Sequence, residues 1–300
     1  MRIGALEAGG TKMVCAVGDE NARISERITF PTKTPDETMP EILAWFREQK
    51  IAALGIGCFG PLDLDKNSPA YGYITSTPKL AWRDFDIVGY FKAENIPIGF
   101  DTDVNASCLG EATWGSTKDV DSSIYITVGT GIGVGIMVEN RLLHGLLHPE
   151  AGHTLVSRTA GDFYPGLCPY HRDPYFCLEG LASGPAIAGR WGAKGDTLKD
   201  RPEVWALEAD YLSQAIVNYI LTLSPKRIVL GGGVMKQEQL FPLIREKVSK
   251  IVNGYVPLPE PELFIVPPAL GDEQGIKGAI QLALAALDLH SRYVRDNASA

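Results

Sequence analysis

The distribution of apolar residues along the chain predicts alternating strands and helices. Residues 51–59 form a continuous apolar run, which is typical of a strand buried on both faces. Residues 39–46 place apolar side chains at helical spacing, and Thr34-Pro35-Asp36-Glu37 before them is a helix start. Three further segments are predicted strands: 2–7, 12–17 and 23–30. The opening order is therefore strand, strand, strand, helix, strand.

The second half of the chain repeats this order. Strand-like segments at 123–128 and 134–138 flank a glycine-rich turn, and an amphipathic helix follows at 204–220. Three late segments complete the pattern: a strand at 227–230, a strand at 263–266 within proline-rich text, and a helix at 272–289. We expect an N-terminal lobe of residues 1–115, completed by helix 272–289, and a C-terminal lobe of residues 116–271. Two halves with the same order of strands and helices predict duplicated α/β lobes with an interlobe cleft.

Composition and charge restrict the classes of function. The chain has 300 residues, of which 45% are hydrophobic and 21% charged, as in ordinary globular proteins. The net charge is −8 and there is no run of Lys or Arg, so we expect no nucleic-acid partner. No apolar segment approaches the ~20 residues of a membrane span, and the first residues do not resemble a signal peptide. These features favour a cytoplasmic protein.

Two glycine-rich turns are candidate anion sites. Gly9-Gly10-Thr11-Lys12 and the turn 129–133 each lie between two predicted strands, and neither has Walker A or Rossmann spacing. A turn without side chains can direct successive N–H groups at a phosphate. Two ordinary hairpins would leave the same pattern, and Lys12 could be a surface lysine. The matched pair, with Lys12 and neighbouring hydroxyls, favours phosphate binding.

Alternating polar residues follow the predicted strand near residue 100. Asp101, Asp103 and Asn105 lie in extended text, where a carboxylate at the end of a buried strand can serve as a general base, because burial raises its pKa. The same pattern can also bind a cation or cap a helix that begins near Ala106.

Cysteine and histidine residues cluster between residues 148 and 177. His153, Cys168, His171 and Cys177 form a set suited to tetrahedral, structural zinc. Residues 158–174 include few apolar side chains, so this loop cannot bury much core and needs a cross-link such as a bound metal to be ordered. The alternative is two core cysteines and two surface histidines.

The other cysteines and histidines carry no motif. We expect Cys15, Cys58 and Cys108 to be buried as small hydrophobic residues. The odd total of five cysteines argues against a disulfide framework. We expect His144 and His148 to lie on the surface or in loops.

The combined motifs resemble the ROK family of sugar kinases, which have an actin/hexokinase-like (ribonuclease H-like) α/β fold. The segments that carry the resemblance are Leu6–Lys12, Gly57–Asp63, Asp101–Ala106, Val128–Gly135, Glu150–His153 and Leu230–Val234. They follow the family's order from residue 3 to about residue 285. The helix-turn-helix extension of the family's repressors is missing, and Cys168-Pro-Tyr-His171 resembles the bacterial fructokinase branch.

This resemblance implies ATP-dependent phosphorylation of D-fructose to fructose 6-phosphate, with Asp103 as general base and Mg²⁺ accompanying ATP. The implied ATP-binding residues are Gly9, Gly10, Thr11, Lys12, Thr130, Gly131, Gly232 and Gly233. The implied sugar-binding residues are Gly60, Thr102, Asp103, Glu150, His153 and Glu179. The resemblance also implies structural zinc in loop 153–177, held by His153, Cys168, His171 and Cys177, and a homodimer.

Two positions depart from the resemblance. Glu7 replaces the aspartate usual in the wider superfamily, and its longer arm can still reach Mg²⁺ through a water. Thr102 replaces an asparagine that contacts the sugar in many family members.

Other functions remain open from the sequence. The chain could phosphorylate glucose, mannose or an N-acyl-hexosamine, because one or two hydroxyl positions separate these sugars. A non-catalytic sugar sensor is expected to lack the base or the phosphate loops, whereas Asp103, Lys12 and both loops are present. An actin-like filament or chaperone ATPase has no need for the implied sugar residues.

Overall fold

A computed structural model describes the backbone of residues 1–298 and the side chains of residues 1–292. The chain forms two compact units. The N-unit comprises Met1–Lys118, Leu142–His148 and the residues from Leu270 onward. The C-unit comprises Asp119–Arg141 and Pro149–Ala269.

The unit boundaries differ from the predicted lobes at Leu142–His148, which the sequence division assigned to the C-terminal lobe. This segment belongs to the N-unit because His144 and His148 make hydrogen bonds there, to Asp101 and Leu62. His148 lies in a loop, as one of the two expectations had it, but it is buried and not on the surface.

The first 118 residues alternate strands and helices, as predicted. In chain order the elements are β1 (Ile3–Ala8), β2 (Lys12–Gly18), β3 (Ile24–Pro31), α1 (Pro35–Gln49), β4 (Ala53–Cys58), β5 (Tyr73–Ile74), β6 (Phe85–Asp86), α2 (Ile87–Tyr90), β7 (Ile98–Thr102) and α3 (Asp103–Trp114). Helix α1 begins where predicted: the Thr34 N–H donates to the Glu37 side chain in a capping box, and Pro35 occupies the first turn.

The remaining elements belong to the C-unit, except α9 and the end of β10. They are β8 (Ser123–Val128), β9 (Ile132–Val138), β10 (Arg141–Leu142), β11 (Leu155–Val156), β12 (Phe176–Cys177), α4 (Leu178–Ala182), α5 (Gly184–Trp191), α6 (Pro202–Leu223), β13 (Arg227–Gly231), α7 (Leu240–Val252), α8 (Pro261–Phe264), β14 (Ile265–Val266) and α9 (Gln274–Ala298). No helix in the described part of the chain has the length and apolar character needed to cross a membrane.

Each unit contains a five-stranded sheet with the same arrangement. The N-unit sheet has the order β3-β2-β1-β4-β7, in which β1, β2 and β3 pair antiparallel and β4 and β7 are parallel to β1. The C-unit sheet has the order β10-β9-β8-β13-β14, with β13 and β14 parallel to β8. Three consecutive strands followed by two parallel ones thus occur twice.

Two late predictions needed correction. The predicted strand at 263–266 is half helical, because Pro261 occupies the first position of α8 and only Ile265 and Val266 pair with β13. Helix α9 extends beyond the predicted end at residue 289, to Ala298. Cys15, Cys58 and Cys108 are buried, as expected.

Helix α9 packs backbone against backbone on β4 and α3. An ideal Cβ on Gly55 of β4 would lie 1.6 Å from the carbonyl oxygen of Ala279, and one on Gly278 would lie 1.6 Å from that of Ala106. No side chain larger than hydrogen fits at either glycine, so these two residues set the distance between the three elements.

Gly278→Ala is expected to destabilise the protein even though alanine is the better helix former. Helix propensity alone predicts a gain of about 0.5–1 kcal/mol, whereas overpacking of a core contact costs about 1–3 kcal/mol. We expect the free energy of unfolding, measured by urea denaturation, to fall. Ala285→Gly, at an exposed position of the same helix, measures propensity alone; a stabilising Gly278→Ala would contradict the close packing.

Candidate functional site

The first glycine turn joins β1 to β2 and is held from both sides. The Gly9 N–H donates to the carbonyl oxygens of Glu7 and Lys12, at 3.2 and 3.1 Å. The Thr32 hydroxyl donates to the Gly9 carbonyl at 2.7 Å, and the Thr32 N–H donates to the Thr11 carbonyl at 3.0 Å. Because a Cβ on Gly9 would lie 2.7 Å from the Lys12 carbonyl oxygen, this turn requires glycine.

A lysine that sequence reasoning missed lies beside this turn. A Cβ on Gly10 would be 3.0 Å from Cε of Lys79, so the lysine side chain lies across the turn. The turn therefore has Lys79 beside it as well as Lys12. No motif in the sequence marks Lys79, because only the packing of the 77–82 segment brings it to residues 9–12.

The polar residues after β7 divide into two groups. Oδ1 of Asp101 accepts hydrogen bonds from the Thr102 N–H at 2.8 Å and from Nδ2 of Asn105 at 2.7 Å. The Thr102 hydroxyl oxygen caps α3 by accepting from the Asn105 N–H at 3.0 Å. The helix thus begins at Asp103, three residues before the predicted start. Asp101, Thr102 and Asn105 bond to one another, and Asp103 is left out of this set.

Asp103 and Glu7 are two carboxyls of the N-unit whose pKa is raised, whereas exposed Asp19, Glu20 and Glu37 have lowered pKa values. Oδ1 of Asp103 accepts the Val104 N–H at 2.8 Å, and burial raises the pKa of the Asp103 carboxyl. Burial, then the negative charge of Asp103, raise the pKa of Glu7 to about 7, against the opposing charges of Lys12 and Arg27. The two carboxyls thus influence each other.

Gly60 lies in the turn that follows β4. The ring of His148 packs 3.4 Å from the position of a Gly60 Cβ, and its Nε2 accepts the Leu62 N–H at 3.0 Å. Nε2 must therefore be unprotonated. His148 holds the turn in which the predicted sugar residue Gly60 lies.

In the C-unit, the second glycine turn is bonded to two helices. The Gly184 N–H at the start of α5 donates to the Gly129 carbonyl at 2.8 Å. The Ile132 N–H donates to Oε2 of Glu179 in α4 at 2.8 Å, and a Cβ on Gly131 would lie 2.6 Å from the same oxygen. The predicted sugar residue Glu179 is thus anchored to the predicted phosphate turn by one carboxylate oxygen.

A cavity of about 710 Å³ opens beside this turn. Of the ATP-binding residues expected from the sequence, Thr130 and Gly233 line this cavity. At the neighbouring Gly232 a Cβ would lie 2.4 Å from the Val128 carbonyl oxygen, so this position requires glycine. Sequence reasoning did not find the rest of the wall, which includes Gly184, Pro185, Lys194, Asp196, Trp205, Lys236 and Gln237.

The four predicted metal ligands lie together in the C-unit. One ligand atom from each of His153, Cys168, His171 and Cys177 lies within 4.8 Å of all the others. Nδ1 of His153 is 3.7 Å from Sγ of Cys168 and 3.5 Å from Sγ of Cys177, and Nδ1 of His171 is 3.4 Å from Sγ of Cys168.

These separations fit tetrahedral zinc. Zn–S bonds of about 2.3 Å and Zn–N bonds of about 2.0–2.1 Å place nitrogen and sulfur ligands about 3.5 Å apart at the tetrahedral angle. Burial and the neighbouring Cys168 raise the pKa of Cys177 to about 12, and a divalent cation would favour both thiolates.

The other ring nitrogen of His153, Nε2, lies 3.7 Å from Oε1 of Glu179. The Glu150 carbonyl accepts the His153 N–H at 2.9 Å, which fixes these two residues in one turn.

Comparison with known proteins places the whole chain in one group. The model of the ROK family matches residues 3–286. A fructokinase of Pediococcus pentosaceus is 47% identical over 96% of this chain and 99% of its own length. A fructokinase of Streptococcus mutans is 44% identical, covering 94% of this chain and 96% of its own. The ROK hexokinase of Thermus thermophilus has a similar structure, with a TM-score of 0.77 and 26% identity over 96% of this chain and 99% of its own.

The coupling of the two N-unit carboxyls gives a measurable expectation. Asp103→Asn removes the negative charge near Glu7, so the pKa of Glu7 is expected to fall below its present value of about 7. Carbon-13 NMR of the glutamate side-chain carboxyl measures this. Asp288→Asn, at an exposed position of α9, is the control and is expected to leave the Glu7 titration unchanged. An unchanged Glu7 in Asp103→Asn contradicts the coupling.

Proposed function

This chain belongs to the ROK family, and we propose that it transfers the γ-phosphoryl group of ATP to the 6-hydroxyl of D-fructose, with Asp103 as the general base. The chain is a hexokinase-type sugar kinase. The observation that carries fructose as the substrate is the pair of fructokinase relatives at 44% and 47% identity over nearly the full chain.

The nucleotide is assigned to the two glycine turns and the C-unit cavity. Backbone N–H groups of Gly9–Lys12 and of Thr130–Gly131 would bind phosphate oxygens, and Gly232–Gly233 would face the adenosine. Lys79 adds a second cation beside Lys12 at the first turn.

The N-unit carboxyls fit a magnesium ion. Glu7 carries oxygen donors, and burial together with the charges of Asp103 and Asp272 raises its pKa, so a divalent cation there would offset the cost of its charge. Glu7 and the nucleotide phosphates would hold Mg²⁺, which neutralises charge on the β- and γ-phosphates when bound.

Asp103 would accept the proton of the sugar hydroxyl. Val104 anchors Oδ1, so we assign proton acceptance to Oδ2. The sugar O6–H proton passes to Oδ2, O6 bonds to the γ-phosphorus, and the bond from that phosphorus to the β-phosphate oxygen breaks to release ADP. Burial holds the pKa of Asp103 above the ordinary aspartate range, which makes it a better proton acceptor when ionised. Activity is therefore expected to be lost as the pH falls through this raised value.

The remaining sugar contacts are assigned to Gly60, Thr102, Glu150, His153 and Glu179. The Thr102 hydroxyl oxygen accepts the Asn105 N–H, so its own proton is available to a sugar oxygen. Oε2 of Glu179 accepts the Ile132 N–H, so Oε1, which lies 3.7 Å from Nε2 of His153, is the oxygen assigned to the sugar. These roles follow the family motif positions and are proposals for this chain.

We also assign structural zinc to His153, Cys168, His171 and Cys177. The nitrogen–sulfur separations support this, as does the composition of the loop they enclose, where Phe163 and Tyr170 are exposed. Zinc bound to Nδ1 of His153 leaves Nε2 directed toward Glu179 and available to a sugar hydroxyl. A cytoplasmic location and a homodimer stay predictions.

Turnover across a panel of sugars tests the proposed substrate. With Mg²⁺ and ATP, we expect the highest kcat/KM of ADP release on fructose, compared with mannose, glucose, N-acetylglucosamine and N-acetylmannosamine. A preference for another hexose would keep the mechanism and change the substrate. Absence of turnover on every sugar, with ATP bound, would replace the kinase with the sugar sensor.

Asp103→Asn tests the base. An asparagine amide cannot take a proton from the hydroxyl, so kcat is expected to fall about 10²–10⁴-fold while calorimetry still shows fructose binding. Asp288→Asn, on the exposed face of α9, serves as the matched control. Retained turnover in Asp103→Asn excludes this residue as the base.

Metal analysis tests the zinc site. Protein prepared without chelators is expected to contain about one zinc per chain, as four protein ligands imply. Cys177→Ser is expected to lower that content, and Cys15→Ala, at a buried cysteine of β2 outside the cluster, is expected to retain it. Absence of zinc from the wild-type protein refutes the assignment.

A further inference from the structure

An ion pair in the N-unit connects a histidine without a motif role to the turn that carries the base. Nε2 of His144 lies 2.9 Å from Oδ2 of Asp101. We propose that His144 is a positioning residue for Asp103 and acts through Asp101. This proposal rests on the proposed function, because it assigns a role in the same reaction.

Asp101 is a buried carboxylate whose two oxygens have different partners. Oδ1 accepts hydrogen bonds from the Thr102 N–H and from Nδ2 of Asn105, and these two residues flank Asp103 in the chain. Oδ2 is bonded to His144. The Asp101 side chain is 6% exposed and that of His144 is 38% exposed, so the histidine closes the solvent side of the pair. The conformation of residues 101–105 therefore depends on the carboxylate that His144 holds.

The turn also depends on the same carboxylate through the helix cap. The Thr102 hydroxyl oxygen accepts the Asn105 N–H only while Thr102 keeps its extended backbone conformation, and the bond from its own N–H to Asp101 favours that conformation. Asp103 is the first helical residue after this cap. Rotation of the Asp101 carboxylate would loosen both neighbours and shift the Asp103 side chain, and a displacement of about 1 Å at a reacting group can cost about 10²-fold in rate.

The surroundings of His144 favour its charged form. The hydrogen bond to Asp101 raises the pKa of His144 above its ordinary value, against burial, with a smaller contribution from a backbone hydrogen bond to Leu142. A charge-assisted bond to a carboxylate is stronger than a neutral one. The charge-assisted pair is present below the raised pKa, and as the pH rises through it the positive charge is lost, leaving at most the weaker hydrogen bond of a neutral imidazole N–H.

Other titratable groups share the surroundings of this pair. His144 and Asp101 border a cavity of about 720 Å³ whose wall also includes Asp65, Lys66, Tyr71 and His290. Burial and the charge of Asp101 raise the pKa of Tyr71 above that of an ordinary tyrosine. His290, which is exposed on α9, borders the same cavity and provides a matched control.

Three variants test the proposal: His144→Ala, His144→Gln and His290→Ala. Alanine removes the partner of Oδ2, whereas the glutamine amide can donate one hydrogen bond to it without a charge. For the hexose that the wild type phosphorylates best, we expect His144→Ala to lower kcat about 10–100-fold with little change in the KM for ATP. His144→Gln is expected to recover part of kcat, and His290→Ala is expected to match the wild type.

The pH profile separates positioning from a purely structural role. The wild-type kcat is expected to decline at alkaline pH as His144 loses its proton, and this limb is expected to be absent in His144→Gln, whose side chain does not titrate. The same alkaline limb in both proteins, or an unchanged kcat in His144→Ala, overturns the proposal. If His144→Ala does not fold, the comparison of His144→Gln with the wild type decides.

Hydrogen exchange provides a readout that does not depend on turnover. The amides of Thr102 and Asn105 are expected to exchange faster in His144→Ala than in the wild type or His290→Ala, because both lose order when Asp101 is released. Equal exchange rates refute the positioning role. If the wild type phosphorylates no hexose, the proposed function fails, and this measurement alone decides whether His144 orders the turn.

Discussion

The contact between α9 and its neighbours, made by backbone atoms, is the constraint on which the N-unit depends. Helix α9 comes from the end of the chain and packs on β4 at Gly55 and on α3 at Gly278, where no Cβ has room. This contact fixes the position of α3, whose first residue is Asp103. The candidate base is thus placed by residues more than 150 positions away in the sequence.

The electrostatics of the N-unit follow from burying several carboxyls near one another. Asp101 accepts hydrogen bonds from two N–H donors on Oδ1 and lies against His144 on Oδ2. Burial raises the pKa of both Glu7 and Asp103. The structure thus holds the Asp101 carboxyl through three partners, whereas the pKa of the other two carboxyls is shifted upward.

The C-unit contains a loop, residues 158–174, that has too few apolar side chains to form a core of its own. Phe163 and Tyr170 are 86% and 77% exposed, and the loop contains no helix or strand. The loop is held by polar contacts instead: buried Asp162 accepts hydrogen bonds from the Tyr211 hydroxyl and from Arg190, and Cys168 and His171 lie in the cluster of two cysteines and two histidines. The Glu179 carboxylate ties α4 to the glycine turn. These contacts place the side chains of His153 and Glu179 next to each other.

The sequence by itself determined the order of strands and helices, both glycine turns and the four residues of the Cys/His cluster, because periodicity, glycine and ligand type are local signals. It also singled out Asp101, Asp103 and Asn105, and the motif resemblance pointed to Asp103 as the base. Only the tertiary structure decided which distant side chains support these segments: it places His144 against Asp101, His148 against Leu62 and Lys79 across Gly10. These pairs lie 43 to 86 positions apart, and no pattern along the chain encodes a contact that arises when distant segments pack.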